Sequence, residues 1–188
     1  FIDPYLRKQT FRVLLNTFVM SGLSILTSFL PMIFAIALSE LPGKYFKKFV
    51  QTATTIPNFI SWVLVYSFAT ALLATESGVV NMLIRNLGLR DSGINFLSTS
   101  GPATWILMWA IATWKSLGWA SVIYLSSISS IDQELYEAAA VDGASRFAKI
   151  RYITIPGLMP TFITLLILSI GNLLSNGMEQ YMVFQNPF

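Results

Sequence analysis

The stretch Glu134-Leu135-Tyr136-Glu137-Ala138-Ala139-Ala140-Val141-Asp142-Gly143, followed by Ile153-Thr154-Ile155-Pro156, is the most polar and most charged island in a chain otherwise made of long apolar runs. As a pattern it reads E-A-A, three residues, Gly, nine residues, then I-x-I-P. Ser130 with Gln133 three residues later fits a capping box, and Asp132 and Glu134 suit the positive end of a helix. Three consecutive alanines give that helix strong local propensity and a thin profile that another protein's surface could approach closely. The helix is expected to run to about Val141 and to stop at Gly143, which permits a turn that a Cβ would resist. Ala144-Ser145 then opens a second short helix, with Phe147 and Ile150 on one side and Arg146, Lys149 and Arg151 around the others.

On both sides of this island the chain has membrane lengths and membrane composition. Of 188 residues, 54% are hydrophobic and 11% charged, where a soluble domain carries about 25% charged residues. No charge interrupts Val13 to Ser39, Phe49 to Thr75 or Tyr152 to Met178, and each run exceeds the roughly 20 residues that carry a helix across a bilayer. A further run from Pro102 to about Leu125 is interrupted only by Lys115. The expected fold is therefore an all-α membrane protein with helices over about 13–39, 52–74, 102–125 and 155–177. Pro31 predicts a kink in the first helix. Pro57 is tolerated in a first turn, or bends the second helix if that helix starts earlier. Residues 76–101 are too short and too charged to span, and Val79, Val80, Leu83, Ile84 and Leu87 recur at helical spacing with Asn81, Arg85 and Asn86 elsewhere. They read as an interfacial helix ended by Gly88.

Several chemistries are excluded. The chain contains neither Cys nor His, which removes disulfides, Cys/His zinc sites and His-based acid–base catalysis. No G-x-x-x-x-G-K-[ST] run is present, so no ATP-binding P-loop is expected. A net charge of +3 is small beside the apolar content and does not point to nucleic acid. No cofactor or metal is expected in this chain. Four spans put residues 40–48 and 126–152 on one side, and both termini with the 76–101 link on the other. The first side holds Lys44, Lys47, Lys48, Arg146, Lys149 and Arg151, and the second Arg7, Lys8, Arg12, Arg85 and Arg90. That is a slight vote for the first side as cytoplasmic.

Some residues keep two readings. A Lys inside a span is costly and turns toward protein or water, so Lys115 either pins structure through backbone carbonyls or lines a solute path. Trp62 and Tyr66, four apart, either pack against neighbours and lipid or stack on a sugar. Asn16 either makes a helix–helix contact or faces a polar path. Asn172, Asn176, Glu179 and Tyr181 are candidates near an outer mouth, and they fit equally well as ordinary surface.

The E-A-A…G…I-x-I-P pattern resembles the EAA signature of the membrane subunits of bacterial binding-protein-dependent ABC importers, with Ile155 where Leu is usual. The likeness extends to Asn16-Thr17, to Trp114-Lys115-Ser116-Leu117-Gly118-Trp119 with Tyr124-Leu125, and to Glu134-Leu135-Tyr136-Glu137-Ala138-Ala139 with Asp142-Gly143-Ala144, wording similar to sugar and polysaccharide permeases. The resemblance implies a type I importer permease core, a single domain over 1–188. Its cytoplasmic coupling loop would use Glu137, Ala138, Ala139, Asp142, Gly143, Ile153 and Pro156 to meet an ATPase. The implied partners are a cytoplasmic ATPase dimer that binds ATP and Mg, a second permease subunit, identical or different, an external solute-binding protein, and the lipid of a bacterial inner membrane crossed several times. The implied activity is uptake of an oligosaccharide or other carbohydrate by alternating access, with no chemistry catalysed by this chain. Because Phe1 is no initiator, and such permeases commonly carry more helices, one helix before Phe1 and one after Phe188 are expected outside this sequence. The alternatives are an amino-acid or peptide permease, a channel or secondary transporter, and a membrane scaffold in which the Ala-rich segment is a plain hairpin.

Overall fold

A computed structural model describes residues 4–89, 92–97, 102–174 and 178–184. Among the described residues every regular element is helical: α1 (Pro4–Leu26), α2 (Leu30–Ser39), α3 (Lys44–Thr55), α4 (Trp62–Leu73), α5 (Val79–Asn86), α6 (Pro102–Ser129), α7 (Gln133–Val141), α8 (Arg146–Lys149), α9 (Ile155–Gly171) and α10 (Met178–Phe184). By length and composition, Thr10–Ser39, Ala103–Ser129 and Arg146–Gly171 are each long and apolar enough to cross a membrane. The kink expected from Pro31 lies just after Leu26. There Ser28 and Leu30 donate to the carbonyls three residues back, and α2 restarts with Pro31 in its first turn.

The second expected span, 52–74, is not one straight helix. The helical run from Lys44 ends at Phe59, and α4 starts anew at Trp62. Pro57 comes just after the 12 residues of α3, where the ring removes a donor and crowds the preceding turn. The chain tightens to a 3₁₀ turn over Ile56–Phe59. Ser61 then adopts extended backbone, and its hydroxyl accepts from the Leu64 N–H at 3.4 Å, so α4 has an N-cap of its own.

The described residues fall into two compact units. In the first, which runs to Ser21 and includes Phe59–Ala112 and the residues from Leu174 on, α10 lies on α4. Trp62 and Tyr66 meet Phe184 edge-to-face at 6.5 and 5.0 Å between ring centroids, which decides for packing at both positions. The buried Gln180 donates to the Met108 carbonyl at 2.8 Å, and the Trp105 indole donates to Asn16 Oδ1 at 3.0 Å, a helix–helix contact.

α5 presents the apolar side of its pattern outward, as an interfacial helix does. Asn81 is buried, while Val79, Met82, Leu83 and Leu87 are exposed. The Asn81 amide donates to the Ala74 and Ile94 carbonyls and accepts from the Ile94 N–H, at 2.8–2.9 Å. One buried amide thus ties the segment after α4 to the residues around Ile94 through three backbone groups. Gly88 ends α5 as expected, with the Leu89 N–H on the Ile84 carbonyl and the Gly88 N–H on the Arg85 carbonyl.

The second unit comprises Gly22–Asn58 and Thr113–Leu173. Ala35 and Ile36 of α2, Tyr124 of α6 and Leu158 of α9 form its core, with Met32, Ile128, Ile155 and Phe162 packed around them. Ser127 and Thr161 link α6 to α9 through their hydroxyls at 2.9 Å. Gly157 lets Ile131 lie against the α9 backbone, since a Cβ there would overlap the Ile131 side chain.

Candidate functional site

The polar island folds as two helical segments standing on the second unit's core. α7 starts at Asp132, not at Ser130: the Asp132 carboxylate accepts from the Glu134 N–H at 3.0 Å, and the Ser130 hydroxyl donates backward to the Ser127 carbonyl. Asp is at least as strong an N-cap as Ser and sits directly against the helix, so it displaces the expected capping box. At the other end Gly143 has φ +75°, its N–H donates to the Ala140 carbonyl and the Ala144 N–H to the Ala139 carbonyl at 2.8 Å. The last two alanines of the signature therefore hand their free carbonyls to the turn that follows, which closes α7 sharply.

Beyond the turn, the Ser145 hydroxyl accepts from the Ala148 N–H and starts α8. α8 does not stop before the last span. It passes through a π turn, Ile150–Thr154, directly into α9, and the Ile155 N–H reaches back to the Ile150 carbonyl. Pro156 in the first turn of α9 cannot donate, and the wider π turn takes up that disruption without breaking the helix. α8 and the last long helix are thus one continuous rod, Arg146–Gly171.

A side-chain contact fixes α7 to that rod. The Tyr136 hydroxyl and the buried Thr154 hydroxyl lie 2.9 Å apart, so α7 is tied to the last residue of the π turn. The pair is 18 residues apart in sequence and carries no periodic signal. On the outer side, Glu137, Ala138, Ala140 and Asp142 are exposed, and Leu135, Val141 and Phe147 add apolar surface, Val141 at 89% and Phe147 at 75% exposure. Ala139 and Ile153 are half-buried, while Gly143 and Pro156 are exposed. Asp142 sits at the negative end of α7, in a last turn without a basic residue, where a helix dipole disfavours a carboxylate. The result is a short, rigid, acidic and apolar surface, stiffly joined to a long helix.

Lys115 Nζ donates to the Asn58 carbonyl at 2.7 Å in the second unit. Asn172, in the same unit, is exposed at the end of α9 and its amide donates to the Leu168 carbonyl. Glu179 is exposed on α10 in the first unit. Asn176 and the Tyr181 side chain lie outside the described residues.

The family of binding-protein-dependent transport system inner membrane components matches residues 27–188. Protein LplB of Bacillus subtilis (strain 168) is 38% identical over 99% of this chain and 58% of its own length. The polygalacturonan/rhamnogalacturonan transport system permease protein YteP of the same organism is 38% identical over 99% of this chain and 57% of its own length. The crystal structure of a bacterial alginate ABC transporter in complex with alginate pentasaccharide-bound periplasmic protein superposes with a TM-score of 0.84 at 36% identity, covering 92% of this chain and 59% of that one. This chain thus spans somewhat over half of the length of each of these relatives. The match across residues 27–188 settles the lineage of the signature and the helices around it: the chain belongs to the family of binding-protein-dependent transport system inner membrane components.

Proposed function

We propose that the chain is the membrane permease part of an ATP-driven importer in a bacterial inner membrane, and that it carries oligosaccharides inward by alternating access. The observation that carries the reading is the exposed α7, tied through Tyr136 and Thr154 to a rod that continues into an apolar helix of membrane length. Such an element can turn movement of a docked protein into tilt of a span. Glu137 and Asp142 offer carboxylates for charge-assisted hydrogen bonds to a cytoplasmic ATPase dimer, and Ala138, Val141 and Phe147 offer a face that fits a groove. In this reading ATP and Mg are bound by the ATPases, and this chain performs no chemistry. A second permease subunit completes the translocation path, and an external binding protein delivers the solute. Support for a saccharide comes from the relatives, one named for a polygalacturonan/rhamnogalacturonan system and one for alginate.

Uptake in proteoliposomes containing the full-length permease pair, its ATPases and its binding protein tests the proposal. Accumulation of a labelled oligosaccharide that requires internal-face ATP and survives dissipation of ion gradients is expected. Uptake that follows an imposed ion gradient without ATP would overturn it, and uptake of amino acids or peptides in place of saccharides would overturn the substrate class alone.

A further inference from the structure

The geometry points to Lys115 as a positioning residue that pins the carbonyl end of the broken helix at α3 to α6, so that this joint and the helix leading into the coupling segment move as one body. The helical run that starts at Lys44 ends in the 3₁₀ turn Ile56–Phe59, and the last carbonyls of a helix lack intrahelical donors. The Lys115 ammonium meets one of them, Asn58, at 2.7 Å, at the negative end of the α3 helical run where a cation is favoured. Gly118, one turn further along the same face of α6, is buried, and a Cβ there would overlap the Thr54 carbonyl. The Thr54 and Thr55 hydroxyls are turned back onto Val50 and Gln51 of their own helix, at 2.8 and 2.7 Å, which leaves the backbone open to α6. Close approach at Gly118 and a charged hydrogen bond at Lys115 are two separate contacts at one joint, and both lie within the second unit.

The consequence for transport rests on the importer reading, whereas the pin itself does not. Hydrogen exchange of the full-length complex in nanodiscs, read over residues 50–66, compares wild type with Lys115→Met and Lys115→Arg. Loss of a charged hydrogen bond is expected to speed exchange at the joint about ten-fold in Lys115→Met, while Lys115→Arg, which keeps the charge and donors, stays near the wild-type rate. Uptake per ATP hydrolysed falls in Lys115→Met with the solute KM unchanged. If Lys115→Met is not recovered folded, Lys115→Gln carries the same expectation. Wild-type exchange at the joint in the uncharged variant would overturn the proposal. So would a raised solute KM at unchanged uptake per ATP, which would assign Lys115 to the solute path. A wild-type complex that transports without ATP would count against the importer reading, and the exchange comparison would still decide the pin.

Discussion

At the scale of single residues, the signature is a set of solutions to ending and fixing a short helix. Gly143 holds φ +75°, a conformation that costs an ordinary L-residue roughly 1–2 kcal/mol. Gly143→Val is therefore expected to fray the end of α7 and lower the melting temperature of the detergent-purified protein, and Gly143→Asn, which tolerates this backbone better, is expected to lose less. Tyr136→Phe removes one hydroxyl and leaves the ring. The loss is expected to be about 1 kcal/mol and confined to α7, whose amides over 133–141 should exchange faster while those of α9 do not. The turn at Gly143 was legible in the sequence because a glycine after an alanine run has few other uses. The Tyr136–Thr154 contact was not, because it depends on where the π turn brings Thr154. The Asp132 cap was legible in principle, since an Asp immediately before a helix competes well with a Ser two residues earlier.

At the scale of elements, composition located the apolar runs and missed that one of them is broken. Hydropathy cannot tell a straight helix from a broken one, so 52–74 read as a span, while the structure starts α3 at Lys44 and breaks the run at Pro57 and Ser61. Periodicity marked 76–101 as an interfacial helix, which the exposed Val79, Met82, Leu83 and Leu87 fit, but it gave no sign that Asn81 on the other face is buried and bonded to Ala74 and Ile94. Asn81→Leu makes the helix more hydrophobic and is nonetheless expected to destabilise the first unit by about 2–3 kcal/mol, because three hydrogen bonds go and the Ile94 N–H loses its side-chain acceptor. Limited proteolysis of the full-length protein checks this: cleavage within 76–97 should appear in Asn81→Leu and not in wild type. Equal resistance would show that the link is held by something else.

At the scale of the whole molecule, family and membrane class were legible from the signature and the uncharged runs, and the match over 27–188 agrees. The residues that meet solute were not, because polar side chains near a span end look alike whether they line a path or cap a helix, as Asn172 does. We propose that an ATPase docks on the exposed face of α7. Because the chain has no native Cys, single cysteines can be placed at Ala138 and Val141 in the full-length subunit, both exposed, in preference to the half-buried Ala139. Oxidative cross-linking to single-Cys probes around the ATPase surface is then measured with and without ATP. Cross-links at both positions whose yield changes with nucleotide are predicted. No cross-link at either position across the probe set, with both proteins folded and co-purifying, would contradict the account and leave α7 as an Ala-rich hairpin between two helices.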